Sequence, residues 1–322
     1  MKTAIVILNY NNYEDTINCI KSVETYNSAD IKYIVVDNGS TREGVESSLH
    51  RYFKSNFLGQ YIKIDENTEI PHGKLPYLTF VVIKTNDGYA CGNNKGLKIV
   101  YNDDEITHVL ILNNDVLFVE DIIPELLNQQ KQIRDCGIIS PVLYKKNLTD
   151  IDLNCARREI KIKTLIVENF LHYFYRLLGK NKCDIRKNQY ILSSQQSIDK
   201  ELIPISLPSG SCMLLQKNLF NEIGSFDENT FLYFEEDILY KKIAARGLSN
   251  YLLMTQKCIH LGASSTKKTS GIFIMKHGFN SMRYYVHEYS GCNRVQKIIF
   301  DISLYFAKGS FYLQKFLMGK LC

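Results

Sequence analysis

The chain of 322 residues lacks several common signatures. No stretch contains the roughly 18 uncharged apolar residues of a membrane-spanning helix. The nine cysteines form no CxxC pair, so the sequence predicts neither a zinc ribbon nor a disulfide framework. The opening apolar run is too short for a secretory signal peptide. We therefore expect a cytoplasmic protein, at most peripheral on the inner face of a membrane, with mostly buried free thiols.

The phosphate-binding signatures of two large enzyme classes are also absent. No GxGxxG follows the first predicted strand, which argues against a dinucleotide oxidoreductase. No GxxxxGK[ST] occurs, which argues against a P-loop NTPase. The first strand ends instead in the sequence NYNN at 9–12, whose amide and hydroxyl groups can bind a base or a ribose.

The composition is that of a globular protein, but the charge is unevenly distributed. Hydrophobic residues make up 45% of the chain, which is too apolar for disorder. Residues 251–322 carry ten Lys or Arg against Glu288 and Asp301, a net charge of +8 compared with +5 for the whole chain. This asymmetry predicts a basic appendage that faces nucleic acid or a membrane, with a merely solvated tail as the alternative.

Short apolar runs alternate with helical patterns over the first 145 residues. Strands are predicted at 4–8, 33–36, 80–84 and 108–112, and helices at 14–26 and 93–101. Buried strands separated by helices indicate a parallel sheet covered on both faces. Ligands of such sheets bind beyond the carboxyl ends of the strands, which brings together Asn9, Asp37, Asn86 and Asp115.

The rest of the chain is less regular. Residues 55–78 and 150–203 are polar and irregular, apart from a predicted helix at 160–178. A strand-like CMLL segment then precedes helices at 217–223 and 235–246, the second of which is closed by Gly247.

Two of the polar loops have the composition of ligand-binding loops. The sequence NDGYACGNNKG at 86–96 contains three glycines and three asparagines, so its backbone can approach a ligand closely. It leads into a helix whose N-terminus favours negative charge. Asp37, followed by a tight turn, can accept a hydrogen bond from a nucleobase or a ribose; an Asx turn that only shapes the loop is the alternative.

Acidic and histidine side chains supply candidate catalytic groups. Asp115, at the end of the fourth strand, can bind a hard divalent cation that also bridges diphosphate oxygens. Glu235, Glu236 and Asp237 at a helix start offer a general base for an acceptor hydroxyl, with simple complementation of the helix dipole as the alternative. His260 lies in a small polar loop that could reach the metal or the diphosphate.

Taken in order, seven segments resemble the family-two glycosyltransferases with a GT-A fold, and in particular the rhamnosyltransferase-like enzymes of bacterial surface-polysaccharide assembly. The segments are ILNYNN at 7–12, VVDNGST at 35–41, NDGYACGNNKG at 86–96, ILNNDV at 111–116, SGSCMLL at 209–215, IGSFDENTFLYFEEDI at 223–238 and the H-x-x-x-S of 260–264.

The resemblance implies an α/β GT-A fold, with a Rossmann-like, mostly parallel central sheet flanked by helices. The catalytic domain would cover residues 1–265, with a nucleotide-binding half at about 1–116 and an acceptor half at about 117–265. A basic, amphipathic helical region would follow at 266–322.

The resemblance also implies a role for each matching position. Residues that would contact the nucleotide are Asn9, Asn11, Asp37, Asn86, Gly88, Asn94 and Asn114. Asp115 stands where the last acid of the family's metal-binding DxD motif lies, and it would bind Mg²⁺ or Mn²⁺ with the help of His260. Glu236 falls at the position of the catalytic base, with Asp237 as the alternative.

Two positions depart from the family pattern. The DxD motif reads Asn113-Asn114-Asp115, and the family's Glu-Asp pair is here the cluster Glu235-Glu236-Asp237.

The implied activity is inverting transfer of a hexosyl or deoxyhexosyl group from a UDP- or dTDP-linked sugar to a lipid-linked glycan, in O-antigen or capsule synthesis. A degenerate nucleotide-binding scaffold for a partner transferase is the alternative that the altered DxD supports. A sugar-nucleotide pyrophosphorylase would be expected to have a glycine-rich basic loop after the first strand. The NYNN sequence at 9–12 does not resemble such a loop, which argues against that class of enzyme.

The segment 297–318 reads as a mostly apolar helix that is interrupted by Gly309. Asp301, Lys308 and Lys315 recur every seven residues and form a narrow charged stripe. Such a helix favours in-plane binding to an anionic membrane surface. Packing on the catalytic domain, or on a second subunit in a homodimer, is the equal alternative. No recognised nucleic-acid-binding motif accompanies the charge, so nucleic acid is not expected as a partner.

Overall fold

A computed structural model describes residues 1–68, 73–178, 186–193, 200–262, 271–317 and 319 of the chain. The strands, in chain order, are β1 Lys2–Asn9, β2 Ile31–Asn38, β3 Tyr61–Asp65, β4 Leu78–Ile83, β5 Ile106–Asn113, β6 Val116–Phe118, β7 Cys136–Tyr144, β8 Ala156–Arg157, β9 Leu202–Ile205, β10 Leu207–Pro208, β11 Cys212–Gln216 and β12 Ser249–His260. The helices are α1 Tyr13–Tyr26, α2 Val45–Asn56, α3 Tyr89–Tyr101, α4 Ile122–Gln132, α5 Ile162–Leu177, α6 Lys217–Glu222, α7 Glu235–Ala244, α8 Gly271–Glu288 and α9 Arg294–Leu317.

Ten of these strands form one sheet in the order β3-β4-β2-β1-β5-β11-β7-β12-β6, and β9 pairs with β12. All neighbours from β3 to β5 are parallel. β11 runs antiparallel to both β5 and β7, whereas β12 is parallel to β7 and antiparallel to β6 and β9. The predicted mostly parallel sheet is therefore present, with an antiparallel strand between its two halves.

Helices cover both faces of this sheet. Successive strand residues point to opposite faces, so each strand contributes to two cores. Ile5 of β1 packs in a core with Ile20 of α1 and Leu49 of α2. Val6, the next residue of β1, packs in the opposite core with Leu97 of α3. The strands are apolar on both faces for this reason, and that produces the unbroken hydrophobic runs in the sequence.

The predicted strands and helices of the first half are confirmed, and three details were wrong. Segment 55–78 contains β3, whose residues are half-buried or exposed and so give no apolar run. Most of 86–96 is helix, since α3 begins at Tyr89. Gly309 does not interrupt the last helix, because α9 continues through it to Leu317.

Three helices form an additional layer beside α7. α5, α8 and α9 share an apolar core that includes Tyr285, Phe300 and Leu304, and this core extends to Phe234 and Ile238 at the start of α7. A C-terminal helical region is thus present. The predicted domain boundary at 265/266, and Ser264 of the H-x-x-x-S segment, lie outside the described residues and stay predictions.

The sequence predicts mostly buried free thiols, and the described part of the chain contains them. Its seven cysteines are all free; Cys91 and Cys292 are half-buried and the others are buried. Cys183 and Cys322 lie outside the described residues. No described helix has the length and apolarity needed to span a membrane.

A buried ion pair joins β2 to the end of α3. The Lys32 ammonium lies 2.6 Å from Oδ2 of Asp103, and the two side chains are only 5% and 1% exposed. Lys32 Nζ also donates to the carbonyl of Leu75. Asp103 accepts hydrogen bonds from the backbone N–H groups of Leu75 and Glu105. Both charges are therefore well satisfied inside the protein.

We expect Lys32→Met to lower the free energy of unfolding by about 3–5 kcal/mol, because it leaves the Asp103 carboxylate buried without its counter-charge. Lys2→Met is the matched control: Lys2 pairs with Glu105 and Asp30, which are 44% and 64% exposed, so it should cost under about 1 kcal/mol. Urea unfolding of both variants measures the difference. Equal losses would contradict this assignment.

Candidate active site

The carboxyl ends of β1 and β2 are joined by a buried polar network. Asn9 Nδ2 donates to Asp37 Oδ1 at 2.8 Å and to Ser40 Oγ at 3.3 Å, and Asn9 Oδ1 accepts from Thr16 Oγ1 at 2.8 Å. Ser40 Oγ also donates to Asp37 Oδ1. Burial raises the pKa of the Asp37 carboxyl above its usual value, while the hydrogen bonds from Ser40 and Asn9 oppose this change.

Asn11 connects the two turns that follow these strands. Its backbone is left-handed, with φ of 57°. Its Oδ1 accepts from the backbone N–H groups of Thr41 and Arg42, each at 2.7 Å, and its own N–H donates to Ser40 Oγ. The Asn11 side chain therefore shapes the turn that follows β2, just beyond Asp37.

A cleft of about 520 Å³ opens beside Asp37. It is lined by Asp37 and by residues 40–47 and 82–84, which are the turn after β2, the start of α2 and the end of β4. The cleft lies beyond the carboxyl ends of parallel strands, where ligands of such sheets bind.

Asn86 and Gly88 form the turn between β4 and α3. Asn86 Oδ1 accepts from Asn38 Nδ2 and from the Gly88 N–H, each at 3.0 Å. A Cβ on Gly88 would lie 2.4 Å from the carbonyl oxygen of Phe231, and a Cβ on Gly39 would lie 2.5 Å from the Asn86 nitrogen. These two glycines also have left-handed φ values of 98° and 66°, so both conformation and space select glycine here.

Asn94 and Asn114 use their amides for internal hydrogen bonds. Asn94 is bonded to the backbone of Phe226 and to the Glu228 carboxylate, which attaches α3 to the segment before α7. Asn114 Nδ2 donates to Thr16 Oγ1 at 3.0 Å and to the Asn12 carbonyl at 3.3 Å. The structure therefore places both asparagines in supporting positions, and their contact with a nucleotide stays a prediction.

Asp115 and His260 are brought together by the pairing of β12 with β6. His260 is opposite Val116 in that antiparallel pair, and the Leu261 N–H donates to the Asp115 carbonyl. His260 Nε2 consequently lies 3.6 Å from Asp115 Oδ1. The other ring nitrogen, Nδ1, lies 2.7 Å from Asp152 Oδ2. The imidazole is thus held between two carboxylates.

This environment favours the charged imidazole. Burial lowers the pKa of His260, but the nearby Asp115 carboxylate and the hydrogen-bonded Asp152 carboxylate more than compensate and raise it to about 9. A cation that took Nε2 as a ligand would have to displace that proton.

Residues 209–211 join this pair to the acidic start of α7. Ser211 Oγ lies 3.3 Å from His260 Nε2. The neighbouring Gly210 N–H donates to Glu236 Oε1 at 3.0 Å, and the Gly210 carbonyl accepts from the Tyr89 hydroxyl at 2.7 Å. The loop can come this close because residue 210 is a glycine. A Cβ at this position would lie only 2.9 Å from Glu236 Oε1.

The three consecutive acids at the start of α7 occupy different environments. Glu236 is half-buried, and its Oε2 lies 3.8 Å from Arg157 Nη2. Glu235 is buried, with Oε1 unpartnered among the described residues; burial and the neighbouring Glu236 raise its pKa to about 8. Asp237 is buried as well. Tyr233 and Phe234, both left-handed, precede them and turn the chain sharply into the helix.

The side chains around Asp115 fit a divalent cation only in part. Asp115 and His260 offer a carboxylate and an imidazole, and Asp152 holds the second ring nitrogen in the arrangement common behind metal-binding histidines. In the described part of the chain, no group of three or more His, Cys, Asp or Glu side chains could hold a metal. A cation bound here would therefore need further ligands from water or from a bound substrate.

Three of the residues around this site were not singled out by sequence reasoning. Asp152 and Arg157 lie in the polar segment that was read as irregular, and neither has a pattern that distinguishes it. Gly210 lies in the resembling segment SGSCMLL, so that segment was the one available signal.

Comparison with known proteins gives a family and two similar proteins. A family model for glycosyl transferase family 2 matches residues 4–224. The chain is 28% identical over 235 residues to the low-salt glycan biosynthesis hexosyltransferase Agl10 of Haloferax volcanii, a match that covers 72% of this chain and 58% of the relative. It is 25% identical over 97 residues to the N-acetylglucosaminyl-diphospho-decaprenol L-rhamnosyltransferase of Mycobacterium tuberculosis, which covers 30% of this chain and 32% of that protein. The chain thus spans less than two thirds of these relatives.

Two solved structures have a similar fold. A GalNAc-T7 structure with UDP, GalNAc and Mn²⁺ matches with a TM-score of 0.57 and 11% identity, covering 98% of this chain and 57% of the other. The S. aureus TarS 1–349 structure matches with a TM-score of 0.50 and 12% identity, covering 97% and 72%. The predicted GT-A fold is confirmed. Because the family model matches most of the chain in sequence, the chain belongs to glycosyl transferase family 2.

Proposed function

We propose that this glycosyltransferase moves a sugar from a nucleoside diphosphate donor to a hydroxyl group of a glycan acceptor, with inversion at the anomeric carbon. One observation carries the proposal: residues 209–211 connect two chemically different groups. Ser211 contacts His260, which lies against Asp115, and Gly210 binds the carboxylate of Glu236. A position for the departing diphosphate and a candidate base are thus linked through one short loop.

The donor nucleotide would bind along the carboxyl ends of β1, β2 and β4. The cleft beside Asp37 has room for a base and ribose, and the Asp37 carboxylate can accept from either of them. Asn9 and Asn11 would support Asp37 and its turn through the hydrogen bonds described above. Asn86 and Gly88 border the same edge of the sheet. We propose a UDP- or dTDP-linked sugar as donor.

Asp115 and His260 would hold a Mg²⁺ or Mn²⁺ ion together with the diphosphate of the donor. When bound, such an ion supplies Lewis-acid stabilisation of the negative charge that develops on the leaving diphosphate. Asp152 would fix the ring orientation of His260 so that Nε2 points to Asp115. The GalNAc-T7 structure of the same fold contains Mn²⁺, which supports a divalent ion in this one.

Glu236 would act as the general base. Its Oε1 is fixed by the Gly210 N–H, whereas Oε2 lies on the side of Arg157. Oε2 would take the proton of the acceptor hydroxyl as that oxygen forms its bond to the anomeric carbon. The bond from that carbon to the diphosphate oxygen breaks in the same step, and its electron pair leaves with the diphosphate. A single displacement of this kind inverts the anomeric centre.

The acceptor would be a lipid-linked glycan of cell-surface polysaccharide synthesis, such as O-antigen or capsule. The name of the mycobacterial relative specifies a diphospho-decaprenol acceptor, and that of the archaeal relative specifies glycan biosynthesis. Both relatives transfer hexosyl or deoxyhexosyl groups according to their names, and we propose the same class here.

A degenerate scaffold that binds nucleotide and recruits a partner transferase is a second candidate. Asn113 replaces the first acid of the DxD motif, and its amide Nδ2 donates to Ser211 Oγ at 3.2 Å instead of offering a carboxylate. Within the described residues no complete metal-binding group accompanies Asp115. Hydrolysis of the donor in the absence of acceptor would rule this candidate out.

Isothermal titration with UDP and with dTDP, each with and without Mn²⁺, tests the donor site. We expect one nucleotide to bind, and to bind at least about tenfold more tightly with Mn²⁺, because the ion bridges the diphosphate and Asp115. Asp115→Asn should remove the metal effect but keep the weaker metal-independent binding. No binding under any of these conditions would contradict the proposal.

Glu236→Gln tests the base. The amide oxygen can still accept from the Gly210 N–H, so the variant should fold and bind nucleotide normally. We expect kcat to fall by about 10²–10⁴-fold because proton transfer to the carboxylate is lost. Asp237→Asn, measured in parallel by release of nucleoside diphosphate, separates the two candidate bases. Near-normal turnover by Glu236→Gln would move the role to Asp237.

Gly210→Ala tests the link between the loop and the base. The added Cβ would crowd Glu236 Oε1 at 2.9 Å and the Tyr89 hydroxyl at 3.0 Å, which are side-chain ends that can move. We expect a fold that survives, unchanged nucleotide affinity and kcat lowered by roughly 100-fold because the base is displaced. Gly271→Ala, which would have no atom within 4 Å of its Cβ, is the control. Equal activity of the two variants would refute the link.

A further inference from the structure

Helix α9 is apolar on two sides, and its inward side also carries two serines. Phe300, Leu304, Ala307 and Phe311 are buried in the core that α9 shares with α5 and α8. Ser303 and Ser310 are buried against α5, where Ser303 accepts from Asn169 Nδ2 and Ser310 accepts from Arg176 Nη1. The Arg176 guanidinium also donates to the Ala307 carbonyl at 2.9 Å. An ordinary surface helix presents a polar side to water, whereas the outward side of α9 is apolar as well.

The outward side of α9 is a continuous apolar stripe. Its exposed side chains include Ile298, Ile302, Tyr305, Leu313 and Phe316, at spacings of three, four, seven or eight residues. Tyr305 is 75% exposed and Phe316 is 68% exposed. Exposed apolar residues at isolated positions are ordinary, but a contiguous stripe of this length marks an interaction surface.

Helix α5 widens this stripe into a face, which we call the outer face of α5 and α9. Phe306 of α9 contacts the aromatic rings of Phe170 and Tyr173, with ring centroids 6.1 and 5.1 Å apart. Phe174 and Leu177 beside them on α5 are 56% and 55% exposed. The apolar surface therefore crosses from one helix to the other without a polar gap between these rings.

Basic side chains border the outer face and acidic ones are nearly absent from its helices. The two helices contain six Lys or Arg but only two acids, Glu168 and Asp301. Glu168 is buried, and Asp301 is paired with Arg283 and His287. Lys163 and Arg294 are exposed at the starts of α5 and α9, and Lys308 and Lys315 lie half-buried along one flank of α9. Lys308 Nζ donates to Asn280 Oδ1 at 3.4 Å and Lys315 Nζ lies 5.7 Å from the centre of the Phe311 ring, and long side chains of this kind can move their ammonium groups to headgroups.

We infer that the outer face of α5 and α9 docks in the plane of an anionic lipid bilayer. Aliphatic and aromatic side chains would enter the headgroup boundary, while the flanking lysines would pair with lipid phosphates. A second copy of the chain would meet the same face with basic edges and no exposed acid on either helix, so a bilayer complements the charge better. The inference is independent of the proposed reaction.

Helix α8, which shares a core with α9, connects the docking face to the candidate base. Phe234, which directly precedes α7, packs on Tyr285 of α8 with ring centroids 5.4 Å apart, and it shares a buried core with Phe300 of α9. Ser281 of α8 also donates to the Leu232 carbonyl. Docking would therefore hold the Glu236 region at a fixed position relative to the lipid surface, where a lipid-linked acceptor would be found.

Sedimentation of the full chain with phosphatidylglycerol-containing vesicles, and with pure phosphatidylcholine vesicles, tests the inference. We expect binding to the anionic vesicles that weakens as salt is raised. The double variant Ile302→Asp and Tyr305→Asp should lower the partition coefficient by about tenfold or more, because it places two charges in the apolar face. The control, Leu58→Asp with Tyr26→Asp, changes an exposed aliphatic residue and an exposed tyrosine elsewhere and should bind like the unmodified chain.

The remaining outcomes overturn the inference. These are no sedimentation with either vesicle, equal loss in both double variants, or a dimer in light scattering that only the outer-face variant dissociates. Nucleotide titration of the same variants separates this result from the proposed function, because the substitutions lie outside the candidate active site. Intact vesicle binding with no transfer would contradict only the reaction.

Discussion

The reversal of strand direction between β5 and β11 determines where the candidate catalytic groups lie. The parallel strands β1, β2, β4 and β5 all end at one edge of the sheet, and their polar turns are collected there. Because β11 runs antiparallel to β5, it begins at that same edge, and Cys212 is opposite Leu112. Residues 209–211 must then cross the edge immediately before β11, between His260 and Glu236.

Many polar side chains at this edge serve to hold other polar side chains. Asn9, Asn11, Asn94 and Asn114 all use their amides in internal hydrogen bonds. Each satisfied bond contributes only about 1 kcal/mol, whereas a buried amide without a partner costs about 1–3 kcal/mol. The asparagine-rich motifs of this family member are thus explained at least in part by the need to fix turns. Fewer of these polar groups are therefore available to a ligand than the motifs alone indicate.

Sequence patterns predicted four central strands whose residues are buried, and they missed β3, whose residues are not, as well as α2, α4 and β7. β1, β2, β4 and β5 are apolar on both faces, so their runs are visible without any partner. β3 is an edge strand with half-exposed and exposed side chains, and its polar sequence resembles a loop. The start of α3 was placed too late because glycine and asparagine have low helix propensity, which the packing of Gly92 and Gly96 on β1 and β2 overrides.

By itself the sequence determined the fold class, the family and the strand-end positions of Asp37 and Asp115, because these follow from local runs and their order along the chain. Tertiary structure alone decided that Asp152 holds His260, that Arg157 faces Glu236 and that the serines of α9 turn inward. The first two depend on strand pairings between segments far apart in sequence, which no local pattern contains. The third depends on which side of an amphipathic helix meets α5. Both sides of α9 carry apolar residues, so the sequence does not say which side is buried. The packing of Phe300, Leu304 and Phe311 in the core with α5 and α8 decides it.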